Sequence, residues 1–107
     1  MIRCLKSLFH TTKAMESRAL SYRTKDGLAD YCFSFEEQRD GTWRPYIVRH
    51  PSYQGRDESA HSTHRMSDRG RKYLDWVNPL RSLAQAKQAA AAWADFTQNY
   101  IRTGSRF

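Results

Sequence analysis

The middle of this chain holds the residue types that metal or acid–base chemistry would use. His61 and His64 stand three apart, with His50 and Asp57 close in sequence. Imidazoles beside a carboxylate are the ligand types of a hydrolytic zinc site, which keeps one position open for water. On a strand, however, residues three apart face opposite sides, so this pair converges only in a turn or helix. No Cys-x-x-Cys accompanies it. The expectation is solvent-exposed histidines and no metal. Asp57-Glu58 ahead of His61 could be drawn as a carboxylate–imidazole couple, as could the residues of almost any polar loop. Nucleophile motifs, glycine-rich phosphate loops and dinucleotide fingerprints are absent. The reading is of a non-enzymatic chain that needs no cofactor.

A second constellation is more coherent. Arg44, Tyr46, Arg49, Tyr53, Arg56, Arg65, Arg69, Arg71 and Lys72, with Tyr73, fall on a predicted hairpin, its following loop and a last strand. Guanidinium forks fit phosphate oxygens, and aromatic rings offer stacking faces to bases. Asp57, Glu58, Asp68 and Asp75 are spaced among them and break up the positive field. The chain carries a net charge of +7; without residues 1–14, which hold Arg3, Lys6 and Lys13 but no acid, 15 basic residues face 11 acidic ones. That is mildly basic, short of a dedicated phosphate surface. Arginine outnumbers lysine 13 to 5, a bias that GC-rich codons generate as well as binding does. The expected function is binding of DNA or RNA by this hairpin and loop; the alternative is an inhibitor that docks on a host protein complex that itself handles nucleic acid. The loop 50–70 is the first choice of contact surface for that alternative.

These residues need a scaffold. In 107 residues there is room for one modest core, built on three Trp, six Tyr and five Phe. Tyr31, Phe33 and Phe35 alternate with small or polar residues over 29–36, the period of a half-buried strand. Asp40-Gly41 supplies the hairpin turn to a strand over 42–49, in which Pro45 predicts an unpaired stretch or bulge. A structureless stretch of about 20 residues is unusual in a small domain, so a short strand is expected near 61–66, closed by a turn at Asp68-Arg69-Gly70. A strand over 71–77 ends at Asn78-Pro79. Ser82 and Gln85 form a capping box opening a long helix, with Gly104 as its stop. The fold class is α+β, an antiparallel sheet of three to four strands packed on one C-terminal helix. Trp43, Leu74, Trp76, Trp93 and Phe96 are expected to share its core.

Residues 1–14 are basic, hydroxylated and acid-free. They read as a flexible tail outside the 15–107 domain: a presequence, an export signal, or upstream sequence ahead of a start at Met15. Cys4 and Cys32 form no disulfide framework, and two thiols in a cytoplasmic protein are expected. No apolar run is long enough to cross a membrane as a helix.

Gly41-Thr42-Trp43 opening a strand, Pro51-x-x-x-Gly55-Arg56 as a turn, a further strand, and Ser82-x-x-Gln85-Ala86 opening a helix resemble the arm-type DNA-binding domain of tyrosine integrases. The likeness spans about residues 41–97. It implies a three-stranded sheet packed on one helix and entering the major groove, although here the connection before the helix is longer. In overall style the chain is also similar to accessory proteins of proteobacterial phages and integrative elements, including anti-CRISPR and other anti-defence inhibitors. Those resemblances imply a DNA-binding accessory protein or an inhibitor of a host defence complex.

Overall fold

In a computed structural model the described residues are 19–107 in full and the backbone of 2–3. The strands are β1 (Ile2–Arg3), β2 (Ala19–Arg23), β3 (Asp30–Glu37), β4 (Trp43–Arg49), β5 (Arg65–Asp68) and β6 (Arg71–Leu74). The helices are the single turn α1 (Ala60–Thr63) and the long α2 (Leu83–Thr103). All pairings are antiparallel, in the order β1-β2-β3-β4-β6-β5. The α+β class with a long C-terminal helix is as expected, but residues 19–107 contribute five strands and β1 adds a two-residue edge. The remainder of residues 1–14, and Met15, lie outside the described residues. Cys32 is disulfide-bonded, which corrects the expectation of free thiols.

One face of the sheet is apolar because strand alternation sends Tyr31, Phe33 and Phe35 of β3 to the same side. Leu20 opposes Phe33 and Tyr22 opposes Tyr31, and all of them pack on α2. The helix meets them with Ala86, Ala89, Ala90 and Ala94, whose small side chains permit close approach, and with Trp93. The Trp93 indole stands edge-on to Tyr31 at 5.9 Å and to Phe33 at 6.0 Å. Its Nε1–H donates to the carbonyl of Thr63 at 2.9 Å. Truncating such a ring to alanine costs roughly 3–5 kcal/mol, much of a small domain's stability.

Leu74 and Trp93 are buried as expected, and Trp43 is half-buried against the core. Trp76 and Phe96 are not in it; they are 37% and 51% exposed. β6 ends at Leu74, so Trp76 falls beyond the ladder. Along α2 the buried stripe steps from Trp93 to Thr97 and Tyr100, leaving Phe96 on the outer flank.

Pro45 pairs in register with Phe35, so the irregularity expected at the proline is not there; β4 bulges farther along. Phe33 pairs with Ile47 and Cys32 with Arg49, making Val48 the extra residue. Residues 60–63, expected in part as strand, form α1 under the N-cap Ser59, and the strand starts only after His64 adopts a left-handed φ of 53°. At α2 the Ser82 Oγ accepts from Gln85 N at 3.1 Å, while the Gln85 side chain reaches back to Arg81 N at 2.8 Å. Gly104 closes the helix at φ 80°, its N–H donating to Tyr100 O.

Candidate interaction surfaces

The outer face of the sheet, opposite α2, carries Glu36, Arg44, Tyr46, Met66, Asp68, Arg71 and Tyr73. Cross-strand pairing brings them together, since Tyr73 opposes both Tyr46 and Met66, Asp68 opposes Arg71, and Glu36 opposes Arg44. The two arginines lie over the rings of the two tyrosines. Arg71 Cζ is 3.7 Å from the Tyr46 ring centroid and Arg44 Cζ is 4.0 Å from that of Tyr73. Each also has a carboxylate. Arg44 bonds Asp68 at 3.0 Å and the Tyr46 hydroxyl at 3.0 Å, and Arg71 makes a two-pronged bond to Glu36. That bond to Glu36 holds the Arg71 pKa above its ordinary value. Tyr46 is buried under this layer. It offers no free stacking face, contrary to expectation.

Arg65 is used differently. It is 7% exposed, and its guanidinium donates to Thr63 Oγ1 at 2.9 Å and to the carbonyl of Glu58 at 3.1 Å. The Tyr53 ring lies 5.0 Å away. His50 donates through Nδ1 to Pro51 O at 2.6 Å, leaving Nε2 facing Arg65 at 3.5 Å. No carboxylate pairs with Arg65 among the described residues. Tyr53, expected as a stacking face, is 2% exposed in a cluster with Tyr100 and Ile101. Burial pushes its hydroxyl pKa up to about 12. Arg56 caps α2 from outside, donating to Ile101 O at 3.2 Å and Arg102 O at 3.4 Å. Gly104 takes φ 80°, which is what requires glycine there; a Cβ would meet only the movable Arg56 guanidinium, at 2.9 Å. Of the nine expected contact residues, Tyr53, Arg56 and Arg65 therefore serve the fold.

No protein-family model, curated protein or solved structure matches this chain. The integrase likeness accordingly rests on its residues alone.

Arg49, Arg69 and Lys72 remain outward cations without an ion pair among the described residues; Lys72 bonds only Ser67 Oγ, at 2.7 Å. They are not gathered, since Arg49 ends β4 while Arg69 sits in the β5–β6 turn at φ 52°. His61 is exposed, and His64 packs on Phe107 at 4.6 Å. No three His, Cys, Asp or Glu side chains converge at metal-binding distance among the described residues.

The sequence reading missed a second surface. Between residues 75–80 and α2 lie two neighbouring recesses, a groove whose parts share Trp76 and Asn78 in their lining. One part, about 280 Å³, is lined by Trp76, Val77, Trp93, Phe96 and Phe107 with His64, Asp75 and Asn78. The other, about 430 Å³, lies over Leu80, Gln85, Gln88, Ala89 and Ala92. Val77 is 96% exposed. The signal was present in Val77-Asn78-Pro79, where a proline two residues on ends any strand, but the aromatic spacing had assigned Trp76 and Phe96 to the core.

Proposed function

We propose that this chain is a non-enzymatic protein-docking module that presents the outer face of its sheet to a partner protein. The carrying observation is the matched Arg–Tyr–carboxylate layer of Arg44, Arg71, Tyr46, Tyr73, Asp68 and Glu36. Arginine, tyrosine and methionine are the residues enriched at the centre of protein interfaces. Here the guanidinium planes are already fixed by rings and carboxylates, so little side-chain freedom is lost on docking. Each keeps N–H donors for a partner's carbonyl or carboxylate acceptors, and Met66, 44% exposed, supplies an apolar contact. A phosphate chain laid on this face would meet Glu36 and Asp68, which offsets the attraction of the two arginines. This supports the inhibitor-like reading of the sequence over the nucleic-acid one.

Arg49, Arg69 and Lys72 favour the other reading, and one experiment separates the two. Purified protein is used to capture partners from an extract of its source cells, with and without nuclease and over rising salt. The parent should retain a nuclease-resistant partner that Tyr73→Ala combined with Arg44→Ala releases. If purified DNA or RNA binds directly with a steep salt slope, and neutralising Arg49, Arg69 and Lys72 flattens it by about one unit per contact, nucleic acid is the partner instead.

A further inference from the structure

We infer that the groove beside α2 is filled by the α2 helix of a second copy of this chain, giving a two-fold dimer. The surface involved is on the opposite side from the sheet's outer face, and the inference does not depend on the docking role proposed above. Four observations lead to it.

The first is charge. Down the outward side of α2 run Gln85, Gln88, Ala92, Phe96 and Asn99, one residue per turn over four turns, and none is charged. The helix's charged residues, Lys87, Asp95 and Arg102, lie on another flank, where Asp95 bonds Tyr22 and Arg102 pairs with Asp26. Two copies of a chain with net charge +7 repel each other. They approach most easily along this uncharged stripe, and Asp75 is the one carboxylate in the lining of the groove beside it.

The second is shape. Phe96 is the large apolar knob of this stripe, and it is held from behind by a stacked Phe107 ring at 5.5 Å and 24°. One turn toward the N-terminus is the larger recess, over Gln85, Gln88, Ala89 and Ala92, walled by Trp76 and Leu80.

The third is spacing. A two-fold axis requires that if residue i meets j, then j meets i. When antiparallel helices cross at Ala92, Phe96 of each copy lies opposite Gln88 of the other, at the mouth of that recess, and Gln85 lies opposite Asn99. The knob and hole are thus placed for self-complementarity.

The fourth is size at the crossing. Alanine there permits the short interaxial distance, about 8 Å, at the close end of helix packing. Trp76, Val77 and Phe107, which with Phe96 are the exposed large apolar side chains lining the groove, then become shielded on both copies.

Sedimentation equilibrium of the full chain over the micromolar range tests the inference. The parent should show a monomer–dimer equilibrium, and Phe96→Asp should weaken it about tenfold or more, as expected for a central aromatic anchor. Phe96 is outside the core, so this variant should keep the parent's circular dichroism and melting. Cysteine cross-linking reads the register directly. Ala92→Cys should oxidise readily to a covalent dimer, since its two copies meet at the axis within disulfide reach. Gln85→Cys, opposite Asn99 rather than itself, should not. A protein that stays monomeric throughout overturns the inference. So does a dimer that Phe96→Asp leaves intact, or one that cross-links equally through both positions.

Discussion

Arg65 and Arg71 belong to one hairpin, and each sets its guanidinium against a tyrosine ring, yet they occupy opposite sides of the sheet. Arg65 pairs with Leu74 on the helix side, where the acceptors within reach are a threonine hydroxyl and a backbone carbonyl from the segment before α1. Arg71 pairs with Asp68 on the outer side and reaches a carboxylate from β3. The first arginine fastens a loop to the sheet and is lost to any partner. The second is part of a surface. Strand parity, and not local composition, decided which was which.

Removing the inner member should have the largest effect. Arg65→Met retains the apolar stem but leaves the Thr63 and Glu58 acceptors without their donor, and should destabilise the fold by roughly 3 kcal/mol. Arg65→Lys should rescue little, because a single ammonium cannot span acceptors arranged for a planar fork. Denaturant midpoints check both. An Arg65→Met protein as stable as the parent would mean that the buried charge contributes nothing net, and the contrast between the two arginines would collapse.

Arg71→Ala should cost far less, about 1 kcal/mol from a half-exposed ion pair and ring contact together. A double-mutant cycle with Glu36→Ala isolates the pair, and its coupling should shrink with added salt. Coupling as large as the Arg65 effect would place both arginines in the same structural class.

The smallest effect concerns Asp57, which anchors the segment that Arg65 holds. Its carboxylate accepts from Ser62 Oγ at 2.6 Å and Ser59 Oγ at 2.8 Å, and these bonds hold its pKa below the usual carboxylate value. A carboxyl with a lowered folded pKa contributes stability that is fully present above the unfolded value of about 3.9. That contribution is lost as pH falls through the folded value. The melting-temperature gap between parent and Asp57→Asn should therefore be open at neutral pH and narrow below about pH 4.

What could be read in the sequence were the features whose causes are local. The alternation of Tyr31, Phe33 and Phe35, the turn at Asp40-Gly41, and the Ser82 and Gly104 ends of α2 each depend on neighbours within a few residues, and each appears where expected. β2 was overlooked because Leu20 and Tyr22 give only two apolar steps inside a polar stretch. The arginine roles were beyond local reading. Arg56 finds its acceptors 45 and 46 residues away and Arg71 its carboxylate 35 residues away, distances at which side-chain type says only that a donor exists. Tyr53 was mistaken for a surface ring for the same reason. Its companions Tyr100 and Ile101 come from the far end of α2.

The tie between residues 53–57 and the end of α2 has a consequence for how the molecule opens. Arg56 holds two of the last carbonyls, the Tyr100 hydroxyl donates to Asp57 O at 2.8 Å, and Tyr53 packs on Tyr100 at 6.3 Å. A segment that resembles a linker is thereby joined to the terminal helical turns as one cooperative unit. Neither half can fray alone. Amide protons at the helix end and in the 53–57 segment should exchange with solvent through the same opening event, at the same free energy.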